Sequence, residues 1–125
     1  MNVLITNNPL VETACRDVLP VEYTDEPLLS LLTRVRDLIH AGCRLLTHPL
    51  SGSLKPNETQ YKTVLISRET GKTDPQSLSI IEESILTVRK FPARIIREDH
   101  LQDLQKTDLS LIQSALRSGK GSGGL

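Results

Sequence analysis

Leu28-Leu29-Ser30-Leu31-Leu32-Thr33-Arg34-Val35-Arg36-Asp37-Leu38-Ile39-His40-Ala41-Gly42-Cys43-Arg44-Leu45-Leu46 changes its hydrophobic period once, and that change sets the architecture. Leu28, Leu31, Leu32, Val35, Leu38 and Ile39 recur at three and four, which places them on one face of a helix and leaves Arg34, Arg36 and Asp37 on the others. Asp25 and Pro27 mark the start of this helix, and Gly42 stands where a helix closes with a left-handed residue. Arg44-Leu45-Leu46 then reads as a strand, entered through so short a turn that the helix must pack directly on the sheet. Upstream, Val18 to Tyr23 reads as another strand, placed at a sheet edge by Pro20, which cannot donate to a ladder. Strand, helix and strand form a β-α-β unit.

Working outward, Val3-Leu4-Ile5 is a short buried-type strand stopped by Thr6-Asn7-Asn8-Pro9. Asn8 is a good N-cap and Pro9 suits a first helical position, so a short helix runs from Pro9 to about Asp17. Beyond the central unit, Tyr61 to Ser67 contains a fourth strand, Val64-Leu65-Ile66, and Asp74-Pro75 opens a second amphipathic helix with Leu78, Ile81, Ile85, Val88 and Phe91 on one stripe. Pro92 ends it, and Ala93 to Ile96 reads as a short extended piece. Glu98 to about Arg117 reads as helical, with Leu101 and Leu104 out of register with Leu109, Ile112 and Leu116. Thr107 or Asp108 is therefore expected to cap a fresh helix, with a bend there. The expected fold is α/β: a single domain over residues 1–118, with a mixed or mostly parallel sheet of about four strands and helices packed on it. Residues 119–125 form a flexible Gly/Ser tail. No helix connects the third and fourth strands, which leaves the fourth free to run antiparallel.

Composition removes several function classes. Fifteen basic residues cancel fifteen acidic ones, so no net field gathers nucleic acid or an anionic membrane. The aromatics are Tyr23, Tyr61 and Phe91, far apart in sequence and forming no platform for stacked bases. No run approaches the roughly 18 apolar residues of a membrane span, and the first residues lack the pattern of a secretory signal. A cytoplasmic protein that binds neither nucleic acid nor membrane is expected. Cys15 and Cys43 have no metal-ligand or disulfide spacing and read as packed free thiols, and no metal site is expected. Gly71-Lys72-Thr73 has the ending of a phosphate-binding P-loop, but Ile66 occupies the position of its first glycine, so the segment reads as a turn before a helix.

The polar residues that folding explains least follow the first and third strands. If these strands are parallel neighbours, Thr6-Asn7-Asn8 and Thr47-His48 emerge at one carboxyl edge, the usual ligand edge of α/β folds. The stretch Thr47 to Thr59 has no periodicity and is long for a connection within a compact domain. Gly52 between Ser51 and Ser53 can turn backbone N–H groups toward an anion, and the helix start after Asn8 adds free donors. Thr6, Asn7, Asn8, Thr47, His48, Ser51, Gly52, Ser53, Lys55 and Asn57 are accordingly the candidate contacts for a small anionic ligand. Equally, Asn, Ser, Gly and Pro are what turns are made of. A catalytic reading makes His48 the base, Ser51 or Ser53 the nucleophile and Glu58 the group orienting the imidazole, in a small hydrolase or transferase. There is no Gly-x-Ser-x-Gly elbow.

Several stretches together resemble one family: Ile5-Thr6-Asn7-Asn8-Pro9-Leu10-Val11, then Val35-Arg36-Asp37-Leu38-Ile39-His40, Leu45-Leu46-Thr47-His48-Pro49-Leu50-Ser51-Gly52-Ser53, Lys55-Pro56-Asn57-Glu58-Thr59 and Asp108-Leu109-Ser110-Leu111-Ile112. They are similar to the GrdX family, accessory proteins associated with glycine reductase and related amino-acid reductases of anaerobic bacteria. The resemblance implies a cytoplasmic protein linked to reductive amino-acid metabolism, with reductase subunits as possible partners. It carries over no catalytic residue and no cofactor. Two non-catalytic readings therefore stand beside the enzymatic one: binding of a small anion or a partner at the strand edge, and a purely structural assembly role.

Overall fold

The computed structural model describes residues 1–51, 57–91 and 96–118. Its first strand, β1 (Asn2–Thr6), leads through Asn8 into α1 (Pro9–Cys15). The Asn8 side-chain oxygen accepts the Leu10 N–H at 3.0 Å, and Pro9 takes a position where its missing N–H is no loss. Strand β2 (Val21–Tyr23) precedes α2 (Leu28–His40), which buries Leu28, Leu31, Leu32, Val35 and Ile39, the stripe expected from its spacing. Gly42, at φ +115°, then turns the chain into β3 (Arg44–Leu45).

The turn beyond β4 (Thr63–Ser67) closes that helix end. Gly71 N donates to Ala41 O at 3.2 Å and Thr73 Oγ1 to His40 O at 3.2 Å, so the residues with a P-loop-like ending satisfy carbonyls that the helix leaves free. Next comes α3 (Pro75–Lys90), capped by Asp74, whose Oδ2 accepts from Ser77 N at 3.1 Å and Ser77 Oγ at 2.7 Å. Ser77 Oγ in turn accepts the Leu45 N–H at 3.0 Å, tying the helix start to β3.

These two bonds hold the Asp74 carboxyl below the usual aspartate range: the Ser77 hydroxyl contributes most, then the Ser77 amide, with Arg44 helping against a small opposing effect of burial. A depressed folded-state pKa means stability present above the unfolded value and lost as pH falls through the folded one. Asp74→Ala is expected to cost about 1 kcal/mol at neutral pH, and less once acid has protonated the wild-type carboxyl. Urea denaturation of both proteins at pH 7 and near pH 3 checks this; an equal gap at both pH values would remove the charge from the explanation.

The strand order is β2-β1-β4-β3. β2 runs parallel to β1, while β4 runs antiparallel to both β1 and β3, giving a mixed sheet with β2 at an edge. The first and third strands share a direction but are not neighbours, because β4 returns between them with Thr63 opposite Thr6 and Ile66 opposite Leu45. Helices α2 and α3 cover one face over Val3, Ile5, Leu45, Val64 and Ile66. On the other, α1 and α4 (Glu98–Arg117) cover Leu4, Leu46 and Leu65.

Helix α4 is continuous, with no fresh start at Thr107 or Asp108. Thr107 Oγ1 donates back to Asp103 O at 2.9 Å, a bond available within an unbroken helix, and the Asp108 side chain turns to other elements instead of capping its own. The extended piece read at Ala93 to Ile96 falls mostly on residues 92–95, and the tail on 119–125, both outside the described residues. Cys15 and Cys43 are buried free thiols, as their spacing suggested. Among the described residues no helix is long and apolar enough to cross a membrane, and no cluster of His, Cys, Asp and Glu could hold a metal ion.

Candidate functional site

Because β1, β2 and β3 point one way and β4 the other, the carboxyl ends of the first three meet the start of the fourth at one edge. Thr6, Asn7 and Asn8 arrive there beside Lys62 and Thr63, with Thr47 from the end of β3. The ends of the first and third strands therefore face the same way, but they are not the neighbours expected from sequence, because β4 separates them.

Asn7 and Asn8 serve the framework. Both amide protons of Asn7 are taken, by Glu26 O at 2.9 Å and Gln60 O at 2.7 Å, while its Oδ1 accepts the Lys62 N–H at 2.9 Å. Asn8 Nδ2 donates to Gln105 O at 2.9 Å and to Asp108 Oδ2 at 3.0 Å. Thr63 Oγ1 also donates to Asp108 Oδ2, at 2.7 Å. Its one proton committed, Thr63 must accept across the 2.7 Å contact from Thr6, whose oxygen accepts Asn8 N–H at 3.0 Å. The result is a closed ring of buried polar groups through Asn8, Thr6, Thr63 and Asp108, joining β1, β4 and α4.

Beside this ring lies a cavity of about 240 Å³ lined by Thr47, His48, Ser51, Lys62, Thr63 and Asp108, with Leu111, Ile112 and Ala115 of α4 as its apolar wall. Lys62 is 5% exposed, and its Nζ donates to Ser51 O at 2.5 Å. Burial holds this amine below the ordinary lysine value, against the opposing pull of Asp108. Burial likewise pushes the Asp108 carboxyl above the usual aspartate range, resisted by the bonds from Asn8 and Thr63 and by Lys62. It also raises the Cys15 thiol nearby, with the charge of Asp108 adding to the effect.

Of the residues singled out by sequence, Thr47, His48 and Ser51 line the cavity. Thr47 is buried, its Oγ1 accepting the Leu65 N–H at 3.0 Å. His48 is exposed, its Nδ1 accepting the Leu50 N–H at 3.1 Å, and Ser51 N donates to His48 O at 3.2 Å. Gly52, Ser53 and Lys55 lie outside the described residues. Asn57 faces a different, wider hollow of about 670 Å³ with Asp25, Tyr61, Arg89 and Phe91, and Glu58 lines neither.

A family model matches residues 3–117, described as GrdX-like protein. The chain belongs to the GrdX-like protein family. No curated protein and no solved structure matches it. In this GrdX-like chain, sequence reasoning passed over the two charged groups of the cavity. Each carried a signal. Lys62 stands two residues before the apolar strand core Val64-Leu65-Ile66, and Asp108 falls between Leu104 and Ile112 at a core position of α4. A charge at a position that the period assigns to the interior is itself a candidate site residue.

Proposed function

We propose that this GrdX-like protein is a non-catalytic accessory protein of amino-acid (glycine) reductase metabolism that holds a small anion in the cavity at the strand carboxyl edge. The observation that carries this reading is Lys62: a buried amine, bonded to one backbone carbonyl, facing open space. An ammonium has three donors, so this one keeps two for a guest. An anion arriving there adds to the countercharge that Asp108 already offers the amine. The reductase link rests on family membership.

The alternative, a hydrolase or transferase using His48 with Ser51 or Ser53, gains from the shared rim of His48 and Ser51. It is weakened by the engagement of His48 Nδ1 with its own loop and by the position of Glu58 away from the cavity lining. Turnover of a bound compound, lost in Ser51→Ala, would reverse the ranking.

The test is a thermal-shift panel of phosphates, nucleotides, amino acids and carboxylates on wild type, Lys62→Met and His48→Ala. At a hundredfold excess over Kd a ligand adds about 2.7 kcal/mol to the folded state, a rise of several degrees. Such a rise is expected for at least one anion, to be absent in Lys62→Met, and to weaken as pH climbs and the amine loses its proton. Lys62→Met keeps the apolar stem but takes away the cation that eases the burial of Asp108 and the donor to Ser51 O, so its folding is checked by circular dichroism before the panel is read. No shift with any anion would end the reading.

A further inference from the structure

We infer that the guest of the Lys62 cavity is a short aliphatic monocarboxylate, its carboxylate on Lys62 and its hydrocarbon tail along Leu111, Ile112 and Ala115. This rests on the reading of the cavity as an anion site and narrows its chemistry.

The charge inventory points to one negative charge. Among the described lining residues Lys62 is the one Lys or Arg, and no helix N-terminus opens there, because α4 contributes its middle and last turns. The Thr63 proton is committed to Asp108, and Thr47 already accepts the Leu65 amide, leaving its own proton for a guest. Two remaining donors on Lys62 and one on Thr47 suit the two oxygens of a carboxylate. A phosphate dianion or a dicarboxylate would bring a second charge against Asp108, with no second cation among the described lining residues to meet it.

Shape supplies the rest. Leu111, Ile112 and Ala115, one and four positions apart along α4, give the cavity an apolar wall. Leu111 is 39% exposed, a large apolar side chain at the cavity with surface still to bury. At about 240 Å³ the space is smaller than the roughly 300–1,000 Å³ that drug-sized ligands occupy, which limits the tail to a few carbons. Asp108 Oδ2 already accepts from both Asn8 and Thr63, which leaves Oδ1 as the oxygen that an α-ammonium group would have to use, and valine in the titration tests that route.

The experiment is an NMR titration of the full chain with acetate, propionate, butyrate and isovalerate, beside phosphate, malonate and valine. Affinity is expected to rise about fourfold per methylene from acetate to butyrate, with phosphate, malonate and valine binding more weakly than isovalerate. Lys62→Met should remove binding of the whole series. Ala115→Leu, which fills the wall, and Leu111→Asn, at a partly exposed position that tolerates a polar group, should each flatten the dependence on chain length. A flat series in wild type, or valine at least as tight as isovalerate, overturns the inference. Phosphate or malonate binding more tightly than butyrate also overturns it while leaving the anion site standing. Absence of binding by every compound brings down both.

Discussion

Asn7→Ala is expected to lower the melting temperature by about 10 °C, a loss of about 3 kcal/mol, although Asn7 lies at the end of a strand and touches no other side chain through these bonds. Its amide joins three separate backbone segments: it donates to Glu26 O and Gln60 O and accepts from Lys62 N, at 2.7 to 2.9 Å. Asn7 is 4% exposed, and truncation takes the partner from one N–H and two carbonyls, each worth about 1 kcal/mol or more. Asn7→Asp should do no better, because a carboxylate oxygen would face two carbonyl oxygens where the amide nitrogen now donates. Scanning calorimetry of the three proteins decides the matter. A loss below about 1 kcal/mol for the alanine variant would mean that the segments hold their arrangement without this amide.

The second large effect is expected at Gly42. A Cβ there would stand 2.5 Å from Gly71 N and 2.7 Å from Thr70 C, both backbone atoms of the turn that closes α2, and the residue is at φ +115°. Neither obstacle is a side chain able to swing away, so Gly42→Ala must part the two turns or distort them. The expected cost is 3 kcal/mol or more, roughly the sum of about 1–2 kcal/mol for an L residue at positive φ and the loss of the local contacts. Gly71 provides the control: it sits at φ +133° with nothing within 4 Å of an added Cβ. Gly71→Ala should therefore show the conformational part alone, and the difference between the two in urea unfolding measures the close approach. Equal losses would show that the clash relaxes freely.

The elements of this fold were legible wherever one physical signal acted alone. The stripe from Leu28 to Ile39, the Asn8 and Asp74 caps and the stop at Gly42 are local, and each is found where the spacing put it. Strand order was not local. Val3-Leu4-Ile5 and Val64-Leu65-Ile66 are both short runs buried on two faces, and nothing in either specifies that they pair antiparallel with β3 beyond. The expected bend in α4 failed for a related reason. Asp108 has the side chain of a cap, but its partners are Asn8 and Thr63, a hundred and 45 positions away. At the candidate site the same distance hid the cavity: Thr47, His48 and Ser51 could be suspected from composition, whereas Lys62 and Asp108 gain meaning only once β4 and α4 are side by side. Asn7 and Asn8, read as ligand contacts for their polarity, also bind the framework through their amides, and Asn7 shares the wider hollow with Asn57.

The place of β4 between β1 and β3 also sets a timetable for the chain as it leaves the ribosome. After residue 50 has emerged, β1 with its parallel edge partner β2, helix α2 and β3 are all available, but a strip one strand wide is missing from the middle of the sheet. In the folded sheet β1 and β3 stand two strand spacings apart, about 10 Å, with β4 as the partner of both. Residues 63–67 fill the strip from inside, pairing with both neighbours at once. A product truncated before residue 63 would lack the strand that pairs with both β1 and β3, and unpaired strand edges are templates for aggregation.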